Sequence, residues 1–242
     1  MPTDPLPTAP SLNPSDASNL LPDPSPSQPE TPAPTFAFSN WVQDLLPQIG
    51  MMRLEIEAEL PLVPSAILAA LPTCVIQPLS EGHLPSSGFG LGGAIGSGKT
   101  LALAALLKAS LINRLRIANS PTPPPTIRTM LWVSWPHEAN WMRFNAGNPE
   151  LSSRVDRLSS VPLLVLDDLG RERIKGTYSE DWSGCLLDDV VCQRHRARLP
   201  ILWTTNVPLK PLMDLYGASF VGCLTENNPL IWIDGLTDLR RA

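Results

Sequence analysis

Cysteine is scarce in this 242-residue chain, and the four present, Cys74, Cys185, Cys192 and Cys223, stand far apart with no Cys-x-x-Cys pair. That spacing offers neither a zinc site nor a disulfide framework. Long apolar runs are missing as well: none approaches the roughly 18 residues that a membrane-spanning helix needs. Nor does the chain open with a basic segment followed by an apolar one, as a secretory leader does. The expectation is a cytoplasmic protein with reduced thiols and no membrane partner. Positive charge is absent from the front, where residues 1–52 carry Asp4, Asp16, Asp23, Glu30 and Asp44 but no Lys or Arg. The formal charge of −5 therefore belongs to that segment, and the rest balances 18 acids against 18 bases, 14 of them arginine. A neutral body suits weak or cooperative contact with a polyanion better than tight stand-alone binding, because affinity follows the number of phosphates neutralised.

Proline, by contrast, is plentiful at 28 residues, and it crowds residues 1–35 together with Ser, Thr and Asp. Such a segment buries too little apolar surface to offset chain entropy, so a disordered tail is expected there. Residues 36–84 read as a helical linker or partner-binding region. Phe38, Trp41, Val42, Leu45, Leu46 and Ile49 recur at helical spacing after a possible Ser39 cap, a second helix is expected over Met51–Leu60, and a third over Ser65–Leu71. Packing on the chain's own body and docking to another protein are both open for this region.

The most specific stretch is Gly93-Ala94-Ile95-Gly96-Ser97-Gly98-Lys99-Thr100, a full match to G-x-x-x-x-G-K-[ST]. Glycines let the backbone turn so that successive N–H groups face a phosphate. Lys99 adds a point charge toward the β- and γ-phosphates, and the Thr100 hydroxyl is suited to ligate Mg²⁺. An apolar run before it reads as a buried strand. The run Leu101–Lys108 reads as a helix that aims its positive end at the phosphates.

Leu163-Leu-Val-Leu runs straight into Asp167 and Asp168, the mark of a buried parallel strand that delivers carboxylates to its C-terminal end. Asp167 is placed to hold Mg²⁺, and Asp168 to orient or deprotonate an attacking water. Ile201–Asn206 is a similar strand, ending in Asn206, which is suited to sense a terminal phosphate. With strands also at 129–133 and 230–233, five strands alternate with helices, a doubly wound parallel α/β sheet with residues 85–242 as its domain. His137 reads as a first-turn surface residue, and a helix over Glu180–Leu199 carries Arg194, Arg196 and Arg198 near its end.

Gly93–Thr100, the Leu-Asp-Asp-Leu-Gly run at 166–170, Thr-Thr-Asn at 204–206 and the tail with Arg240 together resemble the AAA+ ATPases of the DnaC/DnaI helicase-loader and IstB transposition-helper group. The resemblance implies ATP and Mg²⁺ as cofactors, Lys99 and Thr100 as Walker A residues, and Asp167 and Asp168 as the Walker B pair. It also implies Asn206 as sensor 1 and Arg240 as a candidate sensor 2. One departure stands out. Where the family carries a Ser-Arg-Leu-like run with an arginine finger, this chain has Gly222-Cys223-Leu224. Loss of a finger removes of order 10³-fold or more in rate, so slow turnover alone is expected, with either a partner or a displaced arginine, Arg194 or Arg196, completing the site; self-association through the ATP site is a further expectation.

The function implied is a loader that contacts a hexameric replicative helicase and helps deliver it to single-stranded DNA. The alternatives are a transposition-helper ATPase and a nucleotide-dependent adaptor with little turnover. A small-molecule kinase is disfavoured, because no acceptor pocket or arginine-bearing lid is legible. For weak DNA contact the candidates are Arg171, Arg173 and Lys175.

Overall fold

Alternation along one strand already sets up both halves of the core. In Leu163–Leu169 (β3), Leu163 and Val165 face one apolar cluster while Leu164 and Leu166 face another. A strand buried on both faces belongs in the middle of a parallel sheet covered by helices on each side. The computed structural model describes residues 44–52, 57–118, 128–172, 182–236 and 238–239, all within the unit Phe36–Ala242. The Pro-rich tail expected over 1–35 lies outside them, as do Phe38, Ser39, Trp41 and Val42.

Five strands, Phe89–Gly93 (β1), Met130–Ser134 (β2), β3, Ile201–Thr205 (β4) and Leu230–Ile233 (β5), form one sheet in the order β2-β3-β4-β1-β5. Every neighbouring pair is parallel, as expected from the alternation of strands and helices. The described α-helices are Ser65–Ala70 (α1), Thr73–Ser80 (α2), Lys99–Ala118 (α3), Trp135–Phe144 (α4), Glu150–Ser160 (α5), Trp182–Ala197 (α6), Leu209–Tyr216 (α7) and Ala218–Glu226 (α8). None of them is long and apolar enough to cross a membrane.

The first cluster joins α3 (Leu103, Leu107, Leu111) to Phe89, Leu91, Trp132 and Leu202 of the sheet. It also takes in Leu46, Ile49, Val63, Ile67, Leu71, Val75 and Leu79, so the described part of 36–84 packs on the sheet's own core. The second cluster places α4, α6, α7 and α8 over Leu164, Leu166, Ile201 and Trp203.

Proline reshapes the early helices. After Leu45 the chain tightens into a 3₁₀ turn, Leu46–Ile49, containing Pro47 and closed by Gly50 at φ 96°. The helix expected over Met51–Leu60 does not form in the described residues. Met51, Met52 and 57–59 are non-helical and a 3₁₀ turn spans Leu60–Leu62, because Pro61 disfavours a helical conformation at the residue before it and supplies no N–H of its own. Two helices were not legible in the sequence: α2, which carries Pro78 in its interior, and α5, between the second and third strands.

Candidate nucleotide site

Sheet order brings three chain segments to one edge. β1 lies beside β4, and β4 beside β3, so the loop after β1, the end of β3 and the residues after β4 meet at the carboxyl ends of adjacent strands. Ligands bind in such a crevice where strand order switches direction. Here a cavity of about 1020 Å³ is lined by Gly96, Lys99, Thr100, Asp167, Asp168 and Asn206, and it extends along α4 to Trp141 and Phe144.

The loop between β1 and α3 turns at Gly96 (φ 79°) and Gly98 (φ 91°), a left-handed backbone that residues with a Cβ adopt only with strain. Lys99, the first residue of α3, is 5 % exposed. Its ammonium donates to Gly93 O at 3.0 Å, Ala94 O at 2.8 Å, Ser97 Oγ at 3.2 Å and Asn206 Oδ1 at 2.7 Å. Burial pushes the Lys99 ammonium below its ordinary pKa, while the charges of Asp168 and Asp167 work the other way. The positive end of a 20-residue helix points at the same loop.

Asp167 Oδ1 accepts from Thr100 Oγ1 at 2.9 Å and from Thr204 Oγ1 at 2.6 Å. Hydroxyl and carboxylate oxygens side by side are a donor set for a hard cation such as Mg²⁺. Thr100 and Asp167 would hold that ion, which neutralises phosphate charge when bound.

Regular strand alternation would send neighbouring acids to opposite faces. A register shift between Leu166 and Leu169 against β4 breaks that alternation, and Asp168 sits at φ 60°. Both carboxylates thereby line the cavity. Thr204 secures the bulge, accepting from the Asp168 N–H at 2.8 Å. Ser97, part of the expected loop, accepts from Lys99, whereas Thr204 was given no role from the sequence; the signal available was the Thr-Thr-Asn run itself, read only for its last residue.

The structure separates the remaining candidates. Ala94 and Ile95 lie in the phosphate loop, Ile95 exposed at its surface. Arg240 lies outside the described residues. Its neighbour Leu239 donates its N–H to Gly96 O at 2.9 Å and lines the cavity. Arg173 and Lys175 also lie outside, while Arg171 pairs with Asp168 at 2.7 Å. His137 lines the cavity wall.

Arg194 is not available as a displaced finger, which corrects that expectation. It is fully buried, and its guanidinium donates to Leu158 O, Val161 O and Pro200 O at 3.0, 2.7 and 2.8 Å. Burial holds its pKa down at about 10. Arg196 is exposed at the end of α6. Cys223 faces inward toward α6, its sulfur 3.8 Å from that of Cys192.

No family model matches this chain, and no curated protein matches it in sequence. Solved structures do match. The crystal structure of the DnaC helicase loader superposes with a TM-score of 0.53 at 20% identity, covering 81% of this chain and 99% of that one. The crystal structure of DnaI gives 0.56 at 22% identity, covering 78% and 94%. The fold is that of the DnaC and DnaI structures. Within this fold the Gly93–Thr100 loop, Asp167, Asp168 and Asn206 meet at the carboxyl edge of the sheet.

Proposed function

We propose that this protein is an ATP-binding, slowly hydrolysing loader that contacts a hexameric replicative DNA helicase and helps place it on single-stranded DNA. The observation that carries the reading is the convergence of Lys99, Thr100, Asp167, Asp168 and Asn206 from three adjacent strand ends. In hydrolysis a water oxygen bonds to the γ-phosphorus, its proton passes to Asp168, and the bond to the departing ADP oxygen breaks. Lys99 holds phosphate oxygens, Asn206 fixes Lys99 and reads the terminal phosphate, and Arg240 is the proposed sensor 2.

A nucleic-acid partner is supported by the far rim of the cavity. Phe144 is 82 % exposed there, and Arg154, which lies 4.2 Å over the Trp141 ring, is held by Glu138. Exposed aromatic faces stack on bases without regard to sequence. The second reading, an adaptor with little turnover, is favoured by one fact: Cys223 faces inward where the family resemblance puts an arginine.

The test is affinity capture from the native host with the full-length chain, in ATP and in ADP. Recovery of a hexameric helicase in the ATP state supports the loader. Recovery of a transposase instead, or of no helicase in either state, overturns it. A truncation that probes the front of the chain should stop at residue 43, because Leu46, Ile49 and Val63 onward belong to the core.

A further inference from the structure

Arg171 and Asp168 are joined twice. The Arg171 N–H donates to Asp168 O at 3.2 Å, closing a tight turn, and the Arg171 guanidinium donates to Asp168 Oδ2 at 2.7 Å. The turn is braced from behind. The Gly170 N–H donates to Tyr216 Oη at 2.8 Å and Glu172 Oε2 at 3.0 Å, and the Tyr216 hydroxyl donates to Glu172. Arg171 is therefore presented to Asp168 by a held turn, yet its side chain is 67% exposed against 24% for Asp168. Both residues line the nucleotide cavity.

We infer that Arg171 is a latch on the water-activating carboxylate, released when a nucleic-acid phosphate takes its guanidinium. This rests on the ATPase reading above and adds a mode of regulation to it. A guanidinium seated on Oδ2 occupies one of the two carboxylate oxygens able to take the proton of the attacking water and holds the side chain in that position. Guanidinium pairs with phosphate as readily as with carboxylate, often through two parallel bonds. The open side of Arg171 gives a phosphate oxygen access without disturbing the nucleotide loop. An exposed ion pair is weak, worth about fivefold at most in an equilibrium, so the latch lowers the resting rate modestly and yields to a polyanion. Arg171 is thus a positioning residue that acts through Asp168. It gives DNA stimulation a route independent of any arginine finger.

Steady-state ATP hydrolysis by full-length protein, with and without a short thymidine oligonucleotide, tests this on wild type, Arg171→Ala, Arg171→Glu and Arg171→Lys. The expected result is a basal kcat raised about two- to fivefold in the Ala and Glu variants, with KM for ATP unchanged and no further rise on adding oligonucleotide. Arg171→Lys keeps the low basal rate and part of the response. Added salt, which screens exposed pairs, raises the basal rate of wild type toward that of Arg171→Ala and leaves the latter flat. A basal kcat in Arg171→Ala at or below wild type, or stimulation of that variant by the same factor as wild type, overturns the latch alone. Absence of turnover in all four proteins overturns it together with the ATPase reading.

Discussion

The Lys99 ammonium and the Asn206 side-chain oxygen lie 2.7 Å apart although 107 positions separate them in sequence. The contact ties the first turn of α3 to the end of β4, so the group proposed to grip phosphate and the group proposed to read it are mechanically coupled. A ligand that draws Lys99 toward its phosphates must also displace or reorient Asn206.

Lys99→Ala should weaken nucleotide binding about 10- to 100-fold, the value of a hydrogen bond to a charged partner, and abolish turnover. Titration with a fluorescent ATP analogue measures the first. Binding within threefold of wild type would show that the loop does not hold phosphate through Lys99.

Asp168→Asn should lower kcat by about 10²- to 10⁴-fold, the usual contribution of a general base, with ATP affinity preserved. The side chain keeps its size and one oxygen, and the backbone N–H of residue 168 that donates to Thr204 is unaffected. Equal losses in affinity and rate would mean that Asp168 binds ATP or its metal ion and does not activate water.

Arg194→Met should destabilise the protein by about 2–4 kcal/mol, because the carbonyls of Leu158, Val161 and Pro200 lose their donor in a dry interior. Arg196→Ala, on the exposed end of the same helix, should stay within about 0.5 kcal/mol. Urea denaturation distinguishes the two, and similar midpoints for both would remove Arg194 from its structural role.

Burial, together with the neighbouring Cys223 sulfur and Asp188, pushes the Cys192 thiol up from 9.0 to about 11. The group is raised in the folded state, so its contribution to stability is fully present below about pH 9 and is lost as pH rises through about 11. Thiolate is the reactive form. At pH 8 iodoacetamide should therefore label the exposed Cys74 and Cys185 well before Cys192, as peptide mass mapping of the native protein would show. Early labelling of Cys192 would place it in a more open setting.

The sequence by itself determined the phosphate loop, the acidic strand end and the Thr-Thr-Asn strand. Each is local chemistry: glycines where the backbone must turn, a lysine and hydroxyl at fixed offsets, apolar runs ending in polar groups. The five parallel strands followed from the same runs, since a segment apolar on both faces has few places in a fold except a covered sheet.

What only the tertiary structure decided depends on approaches between distant segments. Arg194 and Arg196 are equivalent candidates in sequence, yet one is sealed among carbonyls and the other faces solvent, because only the packing of α6 against α5 and the start of β4 sets which side is inside. The bulge that turns two consecutive aspartates into one cavity requires β4 alongside, with Thr204 to hold it. The turn that carries Arg171 is likewise braced by Tyr216, 46 positions from Gly170, and no local pattern encodes a partner that far along the chain.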